Sequence, residues 1–183
     1  MKRKNQVTDF VYAALFAALI AVLGLISIPL PFSPVPVTGQ SLGIMLTGGL
    51  LTVRQTFYSL TTFLLLGAAG APVYAGMTGG PGILAGPRGG YLFGFLAGAV
   101  VIALLKGRGN TKWRLLLANI SGGIVVVYLF GIIWLGYVTG MSWEKAFAAG
   151  VLPYMPGDLF KAFAATLISI AVNRQLPKKG LPT

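Results

Sequence analysis

The chain has 183 residues, of which 56% are hydrophobic and 9% charged, against about 25% charged in a soluble domain, so the composition is that of a membrane protein. Its net charge of +11 does not signal nucleic acid, because the basic residues stand between apolar segments and read as topology signals and anionic-lipid contacts. There is no Cys, no His and only three acidic residues, Asp9, Glu144 and Asp158; this excludes disulfides, thiol catalysis and thiolate metal sites, and leaves little material for a carboxylate dyad or an oxygen-rich metal cage.

Lys2, Arg3 and Lys4 precede the first apolar run. Thr8 is positioned to cap a helix and Asp9 to sit in its first turn. The run predicts a membrane helix over 8–28 rather than a signal peptide, whose apolar region is shorter and leads to a small-residue cleavage site. Ala13, Ala14, Ala17, Ala18 and Ala21 recur at spacings of three and four. Such a stripe lets another helix approach closely in lipid, and from spacing alone it suits internal packing and partner docking equally.

An uncharged proline-rich loop follows, with Pro29, Pro31, Pro34 and Pro36. Two helices are expected over 38–53 and 56–70, joined by a tight turn at Arg54-Gln55. The first is short for a span, so a re-entrant hairpin is the competing assignment. Gly70 to Gly90 is rich in Gly and Pro. No Gly-Lys-Ser/Thr follows it, which argues against a phosphate-binding loop. It reads instead as a cap over a cavity, with Tyr74, Arg88 and Tyr91 as contacts, or as a plain connector.

The fourth helix is expected over 89–106 and the fifth over 113–138, with Asn119 and Ser121 inside it. Trp143, Glu144 and Lys145 suggest an interfacial turn, and the sixth helix runs over 155–174. The fold class expected is therefore an all-α membrane protein with six transmembrane helices, formed by residues 1–183 as a single integral-membrane domain. Eleven basic residues then fall on the side of the termini: Lys2, Arg3, Lys4, Arg54, Lys106, Arg108, Lys112, Arg114, Arg174, Lys178 and Lys179. Only Arg88 and Lys145 fall opposite. The positive-inside rule places both termini in the cytoplasm.

Asp158 and Lys161 open the sixth helix, at its outer end in this topology. Three residues apart, they share a helix face. Each charge at membrane depth costs roughly 2.5–3.5 kcal/mol on insertion scales. A structural ion pair, with Lys161 reaching to the interface and Asp158 at the helix N-terminus, is one explanation. A ligand site is the other, since a carboxylate beside an ammonium presents acceptors and donors together.

Three motifs occur in order: Pro34-Val35-Pro36-Val37-Thr38-Gly39-Gln40-Ser41, Gly86-Pro87-Arg88-Gly89-Gly90-Tyr91-Leu92 with Gly94-Phe95, and Pro156-Gly157-Asp158-Leu159-Phe160-Lys161. With these the chain resembles, over essentially its whole length, the BioY family of biotin-binding S components of energy-coupling factor transporters. The resemblance implies six helices with a ligand pocket near the outer face, biotin as the transported ligand, and no cofactor, metal or catalytic activity. It implies a plasma-membrane complex with a transmembrane coupling subunit and two ATPase subunits. It also implies that an Ala-x-x-x-Ala motif docks the coupling subunit, as Ala14/Ala18 or as Ala13/Ala17/Ala21, and that Asp158 and Lys161 meet biotin's ring. Gln40, Tyr74 and Tyr91 are further expected contacts. Arg88 is our own candidate for the valerate carboxylate. The alternatives are a stand-alone secondary carrier for biotin or another small vitamin, an intramembrane enzyme, which the missing His and Cys disfavour, and an assembly subunit with no ligand.

Overall fold

The computed structural model describes residues 2–107 and 111–175, with side chains from Gln6 onward. Arg108, Lys178 and Lys179, and the side chains of Lys2, Arg3 and Lys4, lie outside the described residues. The chain is mostly helical.

The first helix, α1 (Lys2–Leu23), begins before Thr8. Thr8 and Asp9 therefore lie inside it rather than at its cap. Asp9, expected in a first turn, is buried within the helix and accepts from Gln55 Nε2 at 2.8 Å. A carboxylate held among apolar helices needs such a partner. One face of α1 packs on α3, where the Ser59 hydroxyl donates to the Ala13 carbonyl at 3.1 Å. Ala13, Ala17 and Ile20 are buried there, while Ala14 and Ala18, a quarter-turn away, are exposed.

The proline-rich stretch is a hairpin rather than a loop: β1 (Ser27–Leu30) pairs antiparallel with β2 (Ser33–Thr38), Ser27 opposite Thr38. Prolines fit because each strand of a two-stranded ribbon has an outer edge that needs no donors. Next, α2 (Gln40–Leu50) is shorter than expected, its 11 residues rising about 16 Å at 1.5 Å each. That is half of a hydrocarbon core about 30 Å thick. Most of its side chains are buried, and it packs against α1, α5, α6 and α9. Then α3 (Val53–Ala68) opens on a capping box, with Thr52 Oγ1 accepting from the Gln55 amide and Gln55 Oε1 from the Thr52 amide. Arg54 and Gln55 thus belong to the first turn of α3, not to the turn before it.

The Gly- and Pro-rich segment holds a Tyr74–Thr78 bridge and the short α4 (Pro81–Ala85). The α5 helix (Gly89–Leu105) follows. The fifth expected span is one rod, Lys112–Thr139, made of α6 (Lys112–Ile120), a π-helical turn (Ser121–Val126) and α7 (Val127–Thr139). The expected interfacial turn is a full helix, α8 (Trp143–Gly150). Last comes α9 (Met155–Gln175), with Pro156 in the first turn, where its missing N–H costs nothing.

Among the described residues three helices are long and apolar enough to cross a membrane: Gln6–Leu23, Lys112–Thr139 and Met155–Gln175. The outward faces suit lipid. Phe160 and Phe163 are exposed on α9, whereas Asp158, Ala162 and Ala165 on the same helix face inward. The connections sort to two ends. One end holds the hairpin, the 69–88 segment and the α7–α9 connection, joined by Gly76 N–H to Gly24 O at 3.1 Å and Tyr91 hydroxyl to Gly150 O at 2.8 Å. The other holds the α2–α3 turn, the C-terminal end of α5 and the start of α6, where the Lys106 ammonium caps the Leu51 carbonyl and Arg114 Nε donates to Leu105 O at 2.8 Å.

Candidate functional site

The site lies where α9, α2 and α7 begin or bend beneath the hairpin. The first turn of α9 places Asp158 and Lys161 on one face, and their side chains meet at 2.9 Å. Ser41, in the first turn of α2, joins both: its hydroxyl donates to Asp158 Oδ1 at 2.9 Å and accepts from Lys161 Nζ at 2.9 Å. Lys161 Nζ also donates to the carbonyl of Thr38, the last residue of β2, at 2.7 Å. The other carboxylate oxygen, Asp158 Oδ2, accepts from the Tyr128 hydroxyl of α7 at 2.7 Å. The carboxylate is buried and the ammonium only partly so.

This polar cluster forms one wall of a cavity with about 610 Å³ of empty space, a figure that includes its open mouth. Most of the remaining lining is apolar or aromatic: Val35, Ile83, Leu92, Phe95, Val127 and the rings of Tyr74 and Tyr91. The combination suits a ligand with one hydrogen-bonding end and an otherwise apolar body. Among the described residues no cluster of three or more His, Cys, Asp or Glu exists to hold a metal.

The expected contacts Gln40, Tyr74, Arg88, Tyr91, Asp158 and Lys161 all line this cavity. Their polar atoms are not equally available. The Tyr74 hydroxyl donates to Leu64 O at 2.7 Å, and burial pushes its pKa above the ordinary value. The Tyr91 hydroxyl is held by Gly150 O, and Gln40 Nε2 donates to Val73 O at 3.1 Å. Tyr74 and Tyr91 therefore present rings rather than donors. Arg88, half-buried at the mouth, spends only Nε, on Pro34 O at 3.4 Å.

Three residues were not expected from the sequence. Ser41 stood in a noted motif but carried no assigned role. Tyr128 is a lone hydroxyl in an apolar run, which is a weak signal. Tyr154 lies just before α9; its hydroxyl donates to the Val35 carbonyl and shares a hydrogen bond with the Ser33 hydroxyl at 2.7 Å. Burial raises the Tyr154 phenol above its ordinary range, against the opposing effect of its Ser33 bond, so it stays a neutral donor. Tyr154, Arg88 and Lys161 between them bind three carbonyls of β2, those of Val35, Pro34 and Thr38.

The model of the BioY family matches residues 1–178. The chain is 43% identical to the biotin transporter BioY of Rhizobium etli over 90% of this chain and 92% of that one. It is 37% identical to the probable biotin transporter BioY of Bacillus subtilis, covering 93% of each, and 37% identical to the biotin transporter BioY of Thermotoga maritima, covering 91% and 96%. Its fold superposes on the crystal structure of the S component for biotin from an ECF-type ABC transporter, with TM-score 0.88, 31% identity and 96% of both chains covered. The chain belongs to the BioY family.

One prediction concerns the roof of the cavity. Tyr154→Phe removes two hydrogen bonds to β2, each worth about 1 kcal/mol net. Amide exchange across 27–38 should speed by roughly thirtyfold, since about 1.4 kcal/mol is a factor of ten. Unchanged protection of these amides by hydrogen-exchange mass spectrometry would show that the ladder and the Arg88 and Lys161 bonds hold the hairpin without Tyr154.

Proposed function

We propose that this chain captures biotin at the outer side of the plasma membrane, as the substrate-binding subunit of an energy-coupling factor transporter, and has no catalytic chemistry of its own. The observation that carries this is the Asp158–Lys161 pair at the wall of an apolar cavity, in a chain whose relatives are named biotin transporters. Biotin's ureido group has two N–H donors and one carbonyl acceptor, which a carboxylate and an ammonium complement. Its thiophane ring and aliphatic tail suit the apolar wall. In this pose the ring lies against Asp158 and Lys161, the rings of Tyr74 and Tyr91 and the side chain of Gln40 border the body, and the valerate carboxylate meets Arg88 at the mouth. Biotin is cargo, and no cofactor or metal is proposed.

We further propose residues 1–183 as one integral-membrane domain with six membrane segments and both termini cytoplasmic. The sorting of connections to two ends supports this, as does the gathering of Arg54, Lys106, Lys112, Arg114 and Arg174 away from the cavity. Because α2 is so short, its segment crosses only together with the hairpin above it. Single cysteines at Phe32, on the hairpin tip, and at Lys112 test the topology. An impermeant thiol reagent should label position 32 from outside and position 112 only after the membrane is opened; the reverse pattern overturns the arrangement.

The site test uses the full chain in detergent and calorimetry. Asp158→Asn and Lys161→Ala should each weaken biotin binding by at least about 1.5 kcal/mol, the scale of a hydrogen bond to a charged group. Removing one charge of a buried pair also destabilises the fold. The double variant Asp158→Asn/Lys161→Met removes both charges, so it should fold at least as well as the single variants and still bind poorly. Wild-type affinity in these variants would leave the pair as structural only.

Concentrative uptake needs energy, and we propose that a coupling subunit and two ATPase subunits supply it through the outward phase of the α1 stripe. Ala14 and Ala18 are exposed, whereas Ala13 and Ala17 are spent on α3 and Ala21 is half-buried. Ala14→Trp or Ala18→Trp should therefore leave biotin binding intact and abolish co-purification with the coupling subunit and ATP-driven uptake. Uptake by the purified chain alone in liposomes would favour a stand-alone carrier instead.

A further inference from the structure

The carboxylate of Asp158 has about four lone-pair sites for hydrogen bonds. Oδ1 spends two, on Ser41 and Lys161. Oδ2 spends one, on the Tyr128 hydroxyl at 2.7 Å. A ligand therefore finds one acceptor site on this group, at Oδ2, in a direction set by Tyr128.

The position of Tyr128 has its own cause. It is the second residue after the π-helical turn Ser121–Val126, the one break in an otherwise α-helical rod. A π turn inserts an extra residue and so rotates everything beyond it by about 100° relative to an unbroken α-helix. Tight packing accompanies the turn. A Cβ on Gly122 would lie 2.4 Å from the Gly98 carbonyl oxygen of α5, and one on Gly123 2.6 Å from Met45 Cε of α2. Before the turn, Asn119 bonds Thr166 at 3.0 Å, deeper along α9. After it, Val127 and Tyr128 both line the cavity. The rod thus meets α9 on both sides of the turn, with Asn119 below and Tyr128 at the site.

We propose that Tyr128 is a positioning residue for ligand recognition: the π turn holds its hydroxyl on Asp158 Oδ2, where it fixes that oxygen and leaves room for a single ligand N–H. This rests on the biotin reading above. The consequence is asymmetry, because only one of biotin's two ureido N–H groups is taken by Asp158.

The test uses the full chain in detergent, with biotin and its two singly N-methylated ureido isomers as probes. The wild type should reject one isomer at least about tenfold more strongly than the other, since a charged hydrogen bond is lost in only one. Tyr128→Phe should weaken biotin by about tenfold and shrink the difference between the isomers, because Oδ2 is no longer fixed. Equal weakening of all three ligands, or none, overturns the proposal and leaves Tyr128 as packing. If the wild type binds no biotin, the ligand reading falls on its own. The positioning role is then decided by unfolding midpoints of Tyr128→Phe, Asp158→Asn and the double variant: shifts that fail to add support the bond, and shifts that simply add overturn it.

Discussion

One buried carboxylate organises this molecule. Asp158 stands on a helix whose opposite face carries Phe160 and Phe163 toward the lipid-facing exterior. An unpaired charge there would cost several kcal/mol, so each neighbouring element contributes a partner: α9 gives Lys161, α2 gives Ser41 and α7 gives Tyr128. None of these elements can shift without breaking a charge-assisted bond. A buried pair of this kind is weak support for stability, since an apolar replacement of equal volume often does as well. On the function proposed above, its place beside an open cavity is accounted for by what it offers a ligand.

Close backbone approach makes this convergence possible. In lipid there is no hydrophobic drive between helices, and association relies on packing and interhelical hydrogen bonds. Gly98 and Gly122 let α5 meet the π turn, and Gly67 makes room for the Tyr74 ring, which a Cβ there would meet at 2.1 Å. The short α2 fits in the middle because nearly all of it is buried in protein. The hairpin precedes it, with strands that satisfy each other along their shared edge. In the proposed topology the hairpin would complete that crossing, and irregular backbone at such depth is tolerated only where it is covered or lines a cavity; β2 does line the cavity.

Much of this was legible in the residues. The apolar runs located every long helix among the described residues, and Asp158 and Lys161 were visible as costly charges on one helix face. The misses have physical reasons. Proline density in 29–36 reads as a loop, because a two-stranded ribbon escapes the rule against proline in sheets. The charge of Arg54 masked a helix start that Thr52 and Gln55 signal as a capping box. Asp9 looked like a first-turn residue because nothing in its neighbourhood foretells Gln55, 46 positions away. The alanine stripe held both phases until α3 was seen to occupy one of them. Tyr128 was the least predictable, since an extra residue in a π turn leaves no periodic trace in an all-apolar run.

The donor count at the site carries a consequence for how it opens. Lys161 has three N–H donors, and all three are in use, on Asp158, Ser41 and the Thr38 carbonyl. A ligand carbonyl therefore gains a donor only by exchange. Asp158 is charged, and giving up its bond costs most. Ser41 holds Lys161 and Asp158 together and would leave both short of a partner. The Thr38 carbonyl is the exception, because it belongs to the end of β2 and gains other partners if that strand end moves. In the proposed site, the exchange that admits a carbonyl would release the hairpin at Thr38, while Tyr154 and Arg88 still hold it at Val35 and Pro34. Binding of a ligand carbonyl and release of the Thr38 carbonyl would then be joined through one ammonium group, by hydrogen-bond stoichiometry.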